Sequence, residues 1–390
     1  MLERLRQIVA VTAMGLRAIP ERVGASLVIV IGMALVVAVT ISILSMSVGY
    51  MRTVQNTGRI DRAIVLSHGS QFEFASALSR DNVLTIADAP GIKTAGDGKP
   101  ILSAEYLTAV LVTKKTNGLD VYVSLRGVGL EGLALRPEIK LVSGRMFQPA
   151  RHELIVGKSA LAQFEGLEVG SPVPLPDGDW TITGSFESNG DEHESELMAD
   201  SETLLSTMRA NTFHSVTVML EKPDSLEQFR TAVTTNPTLA VDVTRETQFL
   251  AAQSKYLNTF LTMIAYVVGG IMGLGATFGA LNTMYTAVSA RAIEIATLRA
   301  IGFIGDAVLA SVLAESLVLA VSGAVIGAIA AWIAFNGNLH AIGGLVFRLT
   351  VTPSLVALGI GFAFTLGFIG GLFPAIRAAR LPVADALRAT

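Results

Sequence analysis

The chain contains no cysteine in 390 residues, which excludes a disulfide framework, a thiolate metal site and a cysteine nucleophile. Charge is scarce as well. Only 16% of residues are charged against 51% hydrophobic, and the mean hydropathy of +0.55 lies outside the soluble globular range. An integral membrane protein is expected. Lysine is missing altogether outside Met51–Tyr256; the 184 residues there hold 10 arginines and 6 acids. Met51–Tyr256 holds 19 Lys and Arg against 26 Asp and Glu, so a mildly acidic polar domain sits within an apolar frame.

Catalytic and metal-binding patterns are also lacking. His68, His152, His214 and His340 are dispersed, no His-Glu-x-x-His run occurs, and no Ser-His-Asp grouping follows from spacing. In HELIVGKS the residues Gly157, Lys158 and Ser159 approach a phosphate loop, but His152 stands where its first glycine belongs. Asp191, Glu192, His193, Glu194 and Glu196 could hold a hard cation, yet SNGDEHESE lacks calcium-loop spacing and reads as a solvated loop. The expectation is no catalytic residue, no metal, no cofactor bound by this chain and no nucleic-acid partner. No cleavable signal peptide is expected either, because the first apolar run is too long for one.

What is present are four apolar runs. Val23–Tyr50 is uncharged over 28 residues, more than the ~20 that cross about 30 Å of hydrocarbon. Tyr256–Ala290 is uncharged over 35, enough to project from the bilayer as a stalk. A third span is expected over 307–336, ending at Asn-Gly-Asn, and a fourth over 353–374 with Pro353 in its first turn. Given four spans, Arg4, Arg6, Arg17, Arg22, Arg291, Arg299, Arg377, Arg380 and Arg388 share one side and Arg348 lies on the other. The N-terminus, the C-terminus and residues 289–303 are then cytoplasmic, 51–255 is extracytoplasmic, 337–352 is a short outer loop and 375–390 a cytoplasmic tail.

Residues 1–22 carry Leu2, Leu5, Ile8, Val9, Thr12 and Leu16 at helical spacing, which suits an amphipathic helix on the lipid of the inner leaflet; packing on protein is the alternative. Three small-residue pairs, Gly275/Gly279, Gly323/Gly327 and Gly367/Gly371, permit close helix contact within the chain or across a dimer. Short β-like runs in the polar domain, among them AIVLSHG, WTITGSF and HSVTVML, alternate with fewer helical stretches. They predict an α+β domain of two lobes.

The segment SARAIEIATLRAIGF, residues 289–303, is a charged island between two greasy runs. Ser289 is placed to cap a short helix, Arg291 and Glu294 to pair at i,i+3, and Gly302 to end it. Arg291, Glu294, Ile295, Leu298, Arg299, Ala300 and Gly302 resemble the signature of FtsX/MacB-type ABC transporter permeases. LAESLVLAVSGAVIGAIAAW and GGLFPAIRAARLPVADALR are similar to that family's later spans, and LVSGRMFQPARHELIVGKSALAQFEGLEVG to the MacB-type periplasmic domain.

The resemblance implies an α-helical membrane protein of the inner membrane, with four transmembrane helices and a large extracytoplasmic α+β domain between helices 1 and 2. It further implies mechanotransmission. Residues 289–303 would form a coupling helix on a cytoplasmic ATPase, with Arg291, Glu294, Ile295, Leu298, Arg299 and Gly302 at the contact. No Gly-x4-Gly-Lys-Ser/Thr occurs in these residues, so a separate subunit is expected to bind ATP and Mg. A second permease copy, a periplasmic adaptor and an outer-membrane channel are the other expected partners, exporting a small or peptidic substrate. Alternatives are lipoprotein release from the inner membrane and ATP-driven regulation of an extracytoplasmic hydrolase or sensor. Glu315, set within span three, is expected to tie to Arg299 or Arg291 and pass on coupling-helix motion, or else to make a packing hydrogen bond.

Overall fold

The computed structural model describes residues 2–129, 131–342 and 344–382; part of the expected cytoplasmic tail, with Arg388, lies outside them. The helices are α1 (Leu2–Arg17), α2 (Val23–Thr57), α3 (Arg80–Ala87), α4 (Lys158–Gln163), α5 (Ser201–Thr207), α6 (Leu226–Thr234), α7 (Glu246–Ala290), α8 (Ala292–Ala300), α9 (Gly305–Phe335) and α10 (Pro353–Ala379). The strands are β1 (Arg62–Ser67), β2 (Leu102–Thr113), β3 (Asp120–Val128), β4 (Lys140–Gly144), β5 (Glu153–Gly157), β6 (Pro172–Leu175), β7 (Gly178–Glu187), β8 (Leu197–Asp200), β9 (Ser215–Met219), β10 (Val241–Arg245), β11 (Leu339–Ile342) and β12 (Leu345–Arg348). They form two units, one of residues 1–48, 259–337 and 350–390, the other of 49–258 and 338–349.

In the first unit α2, α7, α9 and α10 are long and apolar enough to cross a membrane. α9 is the hub. A methyl placed on Gly327 would lie 2.3 Å from the Ala34 carbonyl oxygen of α2, and one on Gly323 2.5 Å from that of Val30. On the other side, a methyl on Gly367 of α10 would lie 2.5 Å from the Ala320 Cβ, and one on Gly371, a turn further along, 2.6 Å from the Ser316 Cβ. Ser316 also donates to the Gly367 carbonyl at 2.8 Å. Absent side chains let the backbones touch, and dispersion at that range holds helices together where lipid supplies no hydrophobic drive. Gly323/Gly327 and Gly367/Gly371 thus each face a neighbouring helix of the same chain, α2 for the first pair and α9 for the second, so neither is left open for a dimer partner. Gly275 and Gly279 of α7 differ: nothing lies within 4 Å of a methyl on either.

α1 packs on α9 along a face made by Val11 and Gly15, with Ser311 donating to the Val11 carbonyl at 3.1 Å and the Ile304 amide to Gln7 at 3.3 Å. Leu5, Val9 and Met14 remain exposed on it. The helix expected to lie on lipid therefore has one face on protein.

The second unit is a ten-stranded sheet in the order β10-β1-β9-β2-β3-β8-β5-β7-β4, with β6 beside β7. β2 joins two lobes, since Leu102–Glu105 pair with β9 and Tyr106–Thr113 with β3. One lobe buries Val65, Val218, Phe229 and Val243 against α3 and α6; the other buries Leu125, Phe164, Trp180 and Ile182.

Two expected boundaries move. α2 continues to Thr57 and α7 starts at Glu246, not 256. Val54, Phe249 and Leu250 explain this: they bury against Ile64 and Leu66 of β1, so these polar helix ends are amphipathic and have a packing partner. The expected short outer loop 337–352 is instead a β-hairpin of β11 and β12 built into the domain. Val346 sits in the core beside Trp180 and Leu197, and its carbonyl accepts from Ser195 at 3.0 Å while its amide donates to the same hydroxyl at 2.9 Å.

Candidate coupling segment and a buried charge network

α8 closes as the sequence requires. Gly302 has φ +109°, its amide donates to the Arg299 carbonyl and the Phe303 amide to that of Leu298, both at 3.1 Å. This paired 5→2 and 6→1 bonding needs a left-handed residue, and glycine adopts it without a Cβ clash. The start of α8 differs from expectation. α7 runs through Ser289 to Ala290, and Arg291 takes the cap position with no side-chain cap bond, so Ser289 caps nothing.

Arg291 makes two ion pairs, Nε to Glu294 at 3.1 Å and Nη1 to Glu315 at 3.3 Å. Arg299 turns elsewhere: its Nη1 donates to the carbonyls of Ala379 at 2.7 Å and Leu381 at 3.2 Å, satisfying the C-terminus of α10. Glu315 is therefore joined to Arg291 and not to Arg299.

The motif residues divide into two sets. Ile295 is 5% exposed within the bundle core, so it supports the helix and is not available to a partner. Arg291 and Arg299 also point inward. What faces outward is Glu294 with Ile293, 48% exposed, Thr297, and Ile301, 73% exposed. Motif matching alone does not separate the buried residues of this segment from the exposed ones, and it passes over Ile301; the i, i+4, i+8 spacing of Ile293, Thr297 and Ile301 on one helical face was the available signal.

The second unit holds a feature that the sequence reading misjudged. SNGDEHESE is not a solvated loop: Asp191, His193, Glu194, Ser195 and Glu196 are all buried. Two arginines, Arg126 and Arg136, reach into it, and Arg62 lies in the same buried network. Arg126 bonds Glu105 at 2.7 Å, Glu196 at 2.9 Å and Glu73 at 3.1 Å; Arg136 lies 2.7 Å from Glu105 and donates Nε to His193 Nε2 at 3.1 Å. Arg62 bonds Glu138 at 2.5 Å and Glu246 at 3.5 Å. Since His193 Nε2 accepts, its Nδ1 carries the hydrogen to Glu196, at 2.9 Å. Glu194 accepts the amides of Ser188 and Gly190 and Asp191 that of His193, so the loop's carboxylates close its own turn.

Burial opposes ionisation of Glu105, but Arg136 and Arg126 overcome it and bring that carboxyl down to about 2. Glu192 has no such partner. Burial, and then the charge of Glu196, push it up to about 7; burial raises Asp191 too. A cavity of about 30 Å³ lies beside Glu73, Glu192, His193 and Glu246, room for a water.

Elsewhere the near phosphate loop is filled by protein. A methyl on Gly157 would lie 2.2 Å from the Glu194 carbonyl oxygen, and Lys158 pairs with Glu187 at 3.1 Å. Among the described residues no group of three His, Asp or Glu is disposed to hold a metal. In the network arginines neutralise carboxylates where the ends of α2 and α7 join the sheet, through Thr57, whose hydroxyl accepts the Glu192 amide at 2.9 Å, and through Glu246.

Long apolar helices, a short helix turned between two of them and a large α+β domain define a multi-pass membrane permease. The chain belongs to the family of ABC transporter permeases: residues 26–236 match the MacB-like periplasmic core domain and residues 266–383 the FtsX-like permease C-terminal model. It is 34% identical over 144 residues to a macrolide export ATP-binding/permease protein MacB of Bdellovibrio bacteriovorus, covering 36% of this chain and 21% of that one. The chain thus spans about a fifth of that relative's length. It is 24% identical over 400 residues to a lipoprotein-releasing system transmembrane protein LolC of Xylella fastidiosa, covering 92% of each. The periplasmic region of MacB from Actinobacillus actinomycetemcomitans matches 52% of this chain and 97% of its own at 12% identity and TM-score 0.38.

Proposed function

We propose that this chain is the permease subunit of an inner-membrane ABC transporter, coupling ATP hydrolysis by a separate subunit to movement of its extracytoplasmic α+β domain. The observation that carries this reading is the outward face of α8, where Ile293, Thr297 and Ile301 leave apolar surface around Glu294 on a helix set between two spans. A docking groove on the ATPase, which binds ATP and Mg, covers that face; a few buried apolar anchors supply most of such a contact. Both termini and α8 are then cytoplasmic. α2 and α7 carry the motion outward: at about 1.5 Å per residue, 45 residues make α7 long enough to cross the bilayer and continue beyond it.

The open face at Gly275 and Gly279 receives a second copy of the chain, since glycines that pack on nothing internal invite a backbone from outside. With a periplasmic adaptor and an outer-membrane channel, such a dimer exports a small or peptidic substrate. A second reading is lipoprotein release, favoured by the match to LolC along 92% of both chains. Affinity purification of the tagged chain from native membranes, with mass spectrometry of what remains bound, tests both. An ATPase with an adaptor supports export, an ATPase with a different permease supports lipoprotein release, and no ATPase overturns the reading.

A further inference from the structure

Glu315 lies on α9 ten residues from its start at Gly305, about 15 Å along the axis, and is 5% exposed. A carboxylate there needs a cation, and Arg291 supplies one at 3.3 Å. A second cation stands by. Arg22 ends a 3-10 turn (Ile19–Arg22) and immediately precedes α2. Its charge acts on the same carboxylate, yet its Nη1 is buried with no hydrogen-bond partner. α1 borders the group too, a methyl on Gly15 lying 3.9 Å from Glu315 Oε2. A buried guanidinium N–H left unpaired, on an arginine whose charge reaches a carboxylate bonded to another arginine, leaves that carboxylate a second possible partner.

We infer that Glu315 exchanges Arg291 for Arg22 when α8 moves, making Arg22 a positioning residue that hands motion of the coupling segment to the base of α2. The inference rests on the functional reading above. Its physical content is asymmetry at the two ends of α8. Arg299 is held by two carbonyl oxygens of the α10 terminus, whereas Arg291 is held by carboxylates, one exposed and one with a waiting partner. α8 therefore swings at its Arg291 end. Once Glu315 transfers, Arg22 is pulled toward α9, and α2, a single helix from Val23 to Thr57, moves at its root.

The absence of cysteine makes this directly measurable. Spin labels at Ser289→Cys, just before the Arg291 end of α8, and Val23→Cys at the root of α2, both exposed positions, report their separation in the complete permease–ATPase complex, without nucleotide and trapped with ATP and vanadate. The parent complex is expected to change distance on trapping. Arg22→Gln is expected to remove about half of that change or more while leaving the nucleotide-free distance unaltered, and Arg22→Lys to restore it. A full change in Arg22→Gln overturns the inference, as does a shift of its nucleotide-free distance, which marks a merely structural role. Failure of the ATPase to bind, or no change in the parent complex, overturns the functional reading itself.

Discussion

Buried charge is handled in opposite ways in the two units. In the α+β domain Arg126 bonds Glu73, Glu105 and Glu196, Arg136 bonds Glu105 as well, and Arg62 bonds Glu138 and Glu246, so one arginine ties several carboxylates together and the loss of one is felt at more than one site. In the helix bundle Glu315 has one bonded arginine and another nearby with an idle N–H. Many mutual bonds fix a shape, whereas one carboxylate between two cations leaves a choice.

The sharpest way to break this contrast is to remove Arg126. Arg126→Met leaves Glu196 buried without its main cation and Glu105 with Arg136 alone, and the domain is expected to lose about 3–5 kcal/mol, read as a lowered unfolding midpoint of the full chain in detergent. Near-normal stability would mean that the network tolerates single losses as the bundle does. Next come the glycine pairs, which compare a filled contact with an open one. Gly327→Ala must push α2 and α9 apart at the Ala34 carbonyl and is expected to cost about 1–3 kcal/mol, while Gly279→Ala stays within about 0.5 kcal/mol in the monomer. Equal effects on thermal stability would refute the distinction.

Acidity probes the network more gently. Glu192, near 7 in the fold and near 4.5 when free, favours its protonated form in the folded state. Its contribution is present below about 4.5 and lost as pH rises through about 7, and Asp191 acts in the same direction. Glu105 works oppositely, its contribution disappearing as pH falls toward about 2. Urea midpoints are therefore expected to fall between about pH 4.5 and 7, with the slope reduced in Glu192→Gln; an unchanged slope would remove Glu192 from the account. The smallest effect belongs to Glu294→Gln, which breaks an exposed i,i+3 pair worth about 0.3–0.5 kcal/mol, so stability should hardly move while ATPase co-purification weakens.

The sequence carried the apolar spans and the α8 stop plainly, because uncharged length and a glycine with positive φ are local properties. The three glycine pairs look the same along the chain, yet Gly371 meets Ser316 and Gly279 meets nothing, a difference that only the arrangement of the helices decides. The buried network was not legible either. SNGDEHESE reads as hydrophilic until Arg126 and Arg136, some 50 to 70 residues away, are brought alongside it. β11 and β12, of four residues each, were too short to announce a hairpin. Ile295 and Ile293 look alike in a motif, and only the packing of α8 decides which is buried.

That hairpin has a practical corollary for dissection. The α+β domain is interrupted in sequence: its core takes Val346 from a segment almost a hundred residues downstream of α7's start, held at both backbone atoms by Ser195. A fragment cut at 51–255 would fold around an empty slot and leave the Ser195 hydroxyl without either partner. The boundary written along the gene and the boundary at which the polypeptide folds are different lines, and the natural unit to express is the one that spans both segments joined by a linker.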